Sequence, residues 1–393
     1  MEARADETSG ELECADKECA EKVWTEDTPA VACARRREVL WLQEVLLQRT
    51  KQCALIQREP GNALARFLFS GLLQRPETSA LRDALLPSHD FLDASVCAEL
   101  EKTGASEESV RSVCLALCAA SREAGGRMAA VRARNNLGEV FLVQLDGQYR
   151  LMWQNESAAI SAPHMYTLRR LYKAHTPQDV DGSAFTQRLF CALRRYEAIG
   201  GPTYQCSVSC VVFAALEAEF GAVKECFASP FNHNAEVYWT AFPDTDRFFG
   251  SEGSFFEALD SPLVREGGFF YANPPFVEEH IALLRDCVQK VLEQPVPVTF
   301  AVVLPTWTDT ACYAWLQGST YTRMHLVLPA GEHEYVDGRQ QAHTASWRKR
   351  SVAKFSSSCF VLQNEAGAAA RPVDDATRRR VLASFACSAV SGV

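Results

Sequence analysis

Residues Gly268-Phe269-Phe270-Tyr271-Ala272 run straight into Asn273-Pro274-Pro275-Phe276, and this junction constrains the chain more than any other stretch. A short aromatic run reads as a buried strand, and the two prolines must end it. Val277-Glu278-Glu279 then leads into an apolar pattern of helical period as far as Leu292. The spacing predicts a strand, a sharp turn and a helix opening at Pro275.

The turn offers specific chemistry. The Asn273 side-chain oxygen and the Pro274 carbonyl can each accept one N–H of a planar amino group whose lone pair is delocalised into a ring. Such acceptors draw the nitrogen towards tetrahedral geometry and stabilise the charge that develops on it. Phe276 can stack on the base, and Pro275 fixes the backbone in advance. The same four residues would also start an ordinary helix, with Asn as cap, Pro in the first turn and Glu278 and Glu279 at the positive end of the dipole. The surrounding chain has to decide between the two.

With 393 residues, 47% of them hydrophobic, there is enough chain for two domains and a sizeable core. No run of about 18 apolar residues occurs, and the first thirty residues are acidic and polar, so neither a membrane span nor a signal peptide is expected. The default is a soluble intracellular protein of the nucleus or cytoplasm. Fifteen cysteines, an odd number scattered singly through apolar segments, suit reduced buried thiols. No Cys-x-x-Cys pair occurs, Cys206 and Cys210 fall on one helix face by spacing, and no metal is expected. A net charge of −9 argues against non-specific coating of duplex nucleic acid but allows a short RNA end. The clusters Arg169-Arg170 with Lys173, Arg194-Arg195, and Arg348-Lys349-Arg350 with Lys354 read as solvated faces, the third being the best candidate for phosphate.

Along the chain, residues 1–30 read as a disordered tail and residues 31–200 as a mostly helical domain. Helices are expected over 31–58, 63–73, 96–101, 106–123, 166–173 and 183–198. Asp146-Gly147 between two apolar runs predicts a hairpin near 139–153. From residue 201 to 365, after a helix over 206–220, strands at 222–228, 237–242, 269–272, 298–304, 325–328 and 359–363 alternate with helices at 255–259 and 277–292. That order implies an α/β fold with a mostly parallel sheet, and residues 366–393 add a helix and tail.

In such a sheet ligands lie beyond the carboxyl ends of the strands. Three of those ends carry unusual text: Ser229-Pro230-Phe231-Asn232, then Asp244-Thr245-Asp246 with Phe249-Gly250-Ser251, then Asn273-Pro274-Pro275-Phe276. An adenosine-bearing cofactor needs carboxylates for its ribose, an apolar slot for its base and a close backbone approach. Asp244 and Asp246, Phe231 and Phe249, and Gly250 are the candidates for these, with Ser229, Pro230, Asn232 and Ser251 beside them. Each piece alone is also ordinary turn or core chemistry, and their joint placement favours the site.

Together with Glu225-Cys226-Phe227-Ala228, Leu304-Pro305 with Trp307, Leu328-Pro329-Ala330, Glu332-His333-Glu334-Tyr335 and Val361-Leu362-Gln363-Asn364, this text resembles the cap-specific adenosine N6-methyltransferases related to the phosphorylated C-terminal-domain interacting factor. The likeness runs over roughly residues 190–365. It implies a Rossmann-like class I methyltransferase sheet behind a helical domain. It further implies S-adenosyl-L-methionine as cofactor, and transfer of one or two methyl groups to N6 of the adenosine next to the 7-methylguanosine cap of mRNA. Larger animal members carry a WW module that binds the polymerase tail. Trp24 and Trp41 lack a strand pattern between them, so no WW module is expected here and RNA polymerase II tail binding is doubtful.

A 7-methylated guanine is cationic and calls for aromatic rings and a carboxylate. Trp307, Glu278, Glu332 and Glu334 are the substrate-facing candidates, Tyr313, Trp315 and Trp347 are further available aromatics, and Trp315 reads as core. Amine methylation needs no strong base, so His333 reads as structural or substrate-contacting. Two other readings remain beside the leading one: an adenine N6-methyltransferase on internal RNA or DNA (or a protein glutamine methyltransferase), and an inactive scaffold that binds capped RNA.

Overall fold

The computed structural model describes residues 27–53, 61–73, 83, 85–87, 94–102, 104–134, 138–145, 147–200, 205–336 and 350–386. Most of the expected tail, Trp24, Trp347, Arg348 and Lys349 lie outside the described residues.

The first half is a helical layer with one small sheet. Helices α1 (Pro29–Gln52), α2 (Gly61–Leu73), α3 (Ala94–Glu101) and α4 (Glu107–Ala133) precede the antiparallel strands β1 (Phe141–Leu145), β2 (Gln148–Trp153) and β3 (Glu156–Ser161), and α5 (Ala162–His175) and α6 (Phe185–Ile199) follow. Thr28 caps α1 through a bond from the Val31 amide, with Pro29 in the first turn. Helix α4 runs ten residues beyond its expected end at Glu123, through Gly125-Gly126, because Ala124 and Met128 are buried against the layer. Tertiary packing there outweighs the cost of two helical glycines. Strand β3 was not expected: the turn before it relies on Gln154 at a positive φ of 51° rather than on Gly or Asn, and Ser157-Ala158-Ala159 is weak strand text.

The second half is a three-layer α/β/α unit. Its elements are α7 (Cys210–Phe220), β4 (Val223–Ala228), β5 (Val237–Thr240), α8 (Pro243–Asp246), α9 (Pro262–Arg265), β6 (Gly268–Ala272), α10 (Glu278–Leu292), β7 (Val298–Pro305), α11 (Ala311–Gly318), β8 (Thr322–Leu328), β9 (Glu334–Val336), β10 (Arg350–Val352), β11 (Ser357–Gln363), α12 (Glu365–Ala370) and α13 (Asp375–Ser384). The main sheet has the order β5-β4-β6-β7-β11-β8. Strands β5, β4, β6 and β7 pair in parallel, as the alternating text predicts, whereas β11 runs antiparallel to both β7 and β8. Among the described residues no helix lies between β8 and β11, only the β9–β10 ribbon, and a strand that returns without a helical crossover reverses. Helices α10 and α11 pack on one face of the sheet, and α7 and α13 on the other. The C-terminal helix thus belongs to this layer, where Thr377 and Arg380 both hold Glu219 of α7.

Two local departures matter for the site. Helix α10 begins at Glu278, three residues after the expected opening at Pro275 and one after the start of the expected 277–292 span, with Val277 as its N-cap. A residue before proline is pushed out of the helical region, so the consecutive prolines keep Asn273 and Pro274 extended and delay the helix. Asn273 is therefore not a helix cap. Likewise α7 starts at Cys210, so Cys206 lies in the preceding extended segment and shares no helix face with it.

The helical layer sits on the carboxyl edge of the sheet. Phe231, Phe242, Phe248, Phe249 and Val277 from the strand-end loops belong to the same apolar cluster as α1 to α6. Arg194 and Arg195, read from sequence as a solvated pair, are buried in α6 at this junction.

Strand β4 also carries a buried carboxyl group, Glu225, which burial pushes up to about 8 although the Asn234 and Ala235 amides donate to it. A raised acid contributes stability that is fully present below its unfolded value of 4.5 and is lost as pH rises through about 8. Glu225→Gln keeps the acceptor and removes the titration. Its melting temperature is expected to match the parent at pH 5 and to exceed it at pH 9, the gap growing by about 1.4 kcal/mol per pH unit inside that window. A constant offset across pH would show that Glu225 does not titrate there.

Candidate functional site

The parallel strands β4, β5 and β6 are neighbours, so Ser229, Ala241 and Asn273 emerge side by side where they end. There they border an open cavity of about 860 Å³, counting its mouth. Ser229, Asn232, Thr240, Ala241 and the whole of Asn273-Pro274-Pro275-Phe276 line it. The helical layer closes it with Phe69, Tyr196 and Ile199, and the extended segment before α7 adds Gln205 and Cys206. No Asp, Glu, Lys or Arg is among the described lining residues, so the cavity is polar but uncharged.

Its polar atoms are oriented by the backbone. Asn273 is only 8% exposed; its Nδ2 donates to the Cys206 carbonyl at 3.2 Å, and its Oδ1 has no partner among the described residues. Donation by Nδ2 fixes which way the amide faces and leaves the oxygen as an unused acceptor. Gln205 repeats the arrangement: Nε2 donates to the Tyr196 carbonyl at 3.1 Å and Oε1 is buried without a partner. The Gln205 carbonyl in turn accepts from Asn232 Nδ2 at 3.0 Å. Two consecutive carbonyls, Gln205 and Cys206, thus tether the β4 and β6 ends together. A buried acceptor left unpaired is costly, and two in one neutral cavity point to a ligand bearing N–H or O–H donors.

The loop after β4 is held by itself. Asn232 Oδ1 accepts from the Ser229 amide at 2.7 Å and the Ser229 hydroxyl at 2.8 Å. Other residues proposed for the cofactor have different occupations. Arg195 grips Asp244 with two bonds, at 2.6 and 3.1 Å. Asp246 is fully buried, accepts from the Tyr196 hydroxyl at 2.5 Å and from Thr245, and is pushed up to about 7 by burial. Phe231 meets Tyr196 edge to face, and Phe249 packs on Tyr172 and Phe185 in the helical layer. At Gly250, φ is +100° and an added Cβ would lie 2.7 Å from the His175 ring, so this glycine admits a histidine rather than a ligand. Ser251 bonds Thr240 at 2.8 Å. Pro230, Phe231, Asp244, Asp246, Phe249, Gly250 and Ser251 therefore do not line the cavity; Phe231, Asp244, Asp246, Phe249 and Gly250 seat the helical layer on the sheet edge. The apolar lining comes instead from Phe69, Phe227, Phe255 and Phe256.

The substrate candidates are dispersed. Glu278 is exposed in the first turn of α10, Glu332 is exposed, Glu334 pairs with Arg350 at 2.7 Å, and Trp307 is half-buried against the core beneath α10 and α11. None of the four lines the cavity. Tyr313 is core, bonded to Ser358 at 2.8 Å, and Trp315 packs on the same core. Both ring nitrogens of His333 are occupied, by the Pro329 carbonyl and the Ser357 hydroxyl, which makes it structural. Phe276, at the cavity, meets Tyr335 and the exposed Phe355 edge to face at 6.1 and 5.9 Å. Among the described residues no group of three His, Cys, Asp or Glu could hold a metal ion, and no helix is long and apolar enough to cross a membrane.

Phe69, Tyr196, Gln205, Cys206, Phe256 and His280 were missed from sequence. Only Phe255-Phe256 carried a signal, two adjacent aromatics in the short helix expected over 255–259, which is a 3-10 turn at Phe255–Glu257.

Residues 167–338 match a family profile described as the phosphorylated CTD interacting factor 1 WW domain. The matched stretch runs from within α5 past β9. That description names a WW domain, so the expectation of a chain without one, and the doubt about the polymerase tail that followed from it, are not borne out. Over 200 residues, 48% of this chain, the sequence is 38% identical to a human protein named mRNA (2′-O-methyladenosine-N(6)-)-methyltransferase. A mouse protein of the same name matches equally well. The aligned part spans 28% of each relative's length.

Proposed function

We propose that the chain transfers a methyl group from S-adenosyl-L-methionine to N6 of the adenosine next to the mRNA cap, in a Rossmann-like class I methyltransferase unit spanning residues 201–365. The observation that carries this reading is the unpartnered Asn273 Oδ1 in a neutral cavity at the end of β6. The names of the human and mouse relatives support the substrate, and they point to an adenosine already methylated on its 2′ oxygen.

The sulfonium cofactor, when bound, supplies an electrophilic methyl group. Asn273 Oδ1 and the Pro274 carbonyl accept the two N–H bonds of the target amine, which localises its lone pair for attack. Phe276 stacks on the target base and Pro275 keeps both acceptors in place. With the donor bound, the nitrogen would become cationic as it takes the methyl group and the donor's C–S bond breaks to leave a neutral thioether, and one of its protons would leave to water. Ser229 and Asn232 shape the loop on which the cofactor lies. An uncharged cavity suits a neutral nucleophile, since a carboxylate beside it would pair with the sulfonium in the ground state and blunt its reactivity.

The test is mass spectrometry of nucleosides from capped RNA incubated with the full chain and labelled S-adenosylmethionine. The expected product is an N6-methylated adenosine at the cap-adjacent position, with a preference for the 2′-O-methylated substrate. Equal activity on uncapped RNA, or label on another atom, would refute the assignment.

A further inference from the structure

The proposed mechanism leaves a buried imidazole at the cavity without a task. His280, in the first turn of α10, is only 4% exposed, lines the cavity, and has no partner for its Nδ1 among the described residues. Its ring meets Phe69 of α2 at 5.4 Å and 86°, and Phe256 at 6.0 Å and 60°. Phe256 touches Phe227, and Phe227 touches Phe255, at 5.2 and 5.9 Å. All five rings line the cavity, so they form one continuous aromatic wall that carries an imidazole whose Nδ1 has no partner among the described residues.

A wall of rings with one polar atom fits a flat heterocycle with a hydrogen-bonding edge. Phe276, on which the target base would stack, makes its ring contacts with Tyr335 and Phe355, not with this wall. We propose that Phe69, Phe256 and His280 hold the adenine ring of the methyl donor and that His280 Nδ1 reads its edge. This rests on the methyltransferase reading above and names a specificity residue within it. Burial holds the imidazole neutral, with its ordinary value lowered to about 3, so the ring brings one donor or acceptor and no charge. Because Phe69 comes from α2, the helical layer supplies part of the cofactor site rather than only a lid over it.

The experiment is calorimetry of the full chain with S-adenosylhomocysteine and with its inosine analogue, in which the adenine amino group is replaced by a carbonyl. The unaltered chain should prefer the adenine compound about tenfold or more, the discrimination expected when a buried polar group loses its partner. His280→Phe, which keeps the ring packing, should bind S-adenosylhomocysteine about tenfold more weakly and lose most of that preference, with little change in melting temperature. His280→Gln, which restores a polar atom, should recover part of both and serves as the readout if the phenylalanine variant folds poorly. An undiminished preference in His280→Phe overturns the proposal. So does unchanged S-adenosylhomocysteine affinity with a raised KM for RNA, which would put the target base against the wall. Failure of the unaltered chain to bind either compound overturns the methyl-donor reading itself, and is told apart because no variant is involved.

Discussion

Asn273→Ala is expected to lower methyl transfer to capped RNA by about 10² to 10³-fold in kcat, the effect of deleting one preorganised group that stabilises developing charge. S-adenosylhomocysteine affinity should change by less than about threefold, because Oδ1 is assigned to the target amine and not to the cofactor. The asymmetry of the amide is the basis. Nδ2 is committed to the Cys206 carbonyl, so Oδ1 cannot exchange roles with it, and the acceptor is in place before any base arrives. Asn273→Asp should fail nearly as badly, since a carboxylate would face the Cys206 carbonyl with no proton to donate. Melting curves separate this from misfolding, as the side chain makes a single hydrogen bond among the described residues. Full activity in a folded Asn273→Ala protein would remove the mechanism.

Much of this arrangement was legible because local rules and tertiary structure agree. The aromatic run of β6, the all-buried β7 and the Asp-Gly turn between β1 and β2 each declare themselves within a few residues. Asn273-Pro274-Pro275-Phe276 was legible as a candidate acceptor site but not as geometry: the helix that would have competed for Asn273 starts only at Glu278. The strand-end carboxylates expected at the ribose lie off the cavity for a physical reason. Carboxylates at strand ends look alike whether they face a ribose or a guanidinium, and the partner of Asp244 lies 49 residues earlier, on α6. Gln205 and Cys206 act through backbone carbonyls, which any residue type possesses, so no side-chain pattern announces them. His280 carries no sequence signal of its own, since the role proposed for it comes from what surrounds it and from the partner its Nδ1 lacks among the described residues.

Asp244 belongs to a buried network, and this gives the second large expected effect. Arg195 bonds both Asp244 and Asp27; Arg35 bonds both Asp27 and Asp83; and Arg132 bonds Asp83. Three carboxylates balance three guanidiniums across α1, α4, α6 and the loop after β5. Burial alone would raise Asp27 and Asp83, but the guanidiniums beside them hold both below the usual carboxylate range. Removing one member strands an opposite charge in low dielectric, so Asp244→Ala is expected to lose about 3 to 5 kcal/mol of stability, and Arg195→Met a similar amount. Replacing both members should cost less than the sum of the single changes, because neither charge is then left alone. S-adenosylhomocysteine affinity of Asp244→Ala, measured well below its melting temperature, should stay within about threefold of the parent. The opposite pattern, an unchanged melting temperature with lost affinity, would return Asp244 to the ribose. The expected pattern would make the network a clamp that holds Tyr196, Gln205 and Phe69 over the strand ends, so that the cavity exists only while the helical layer is seated.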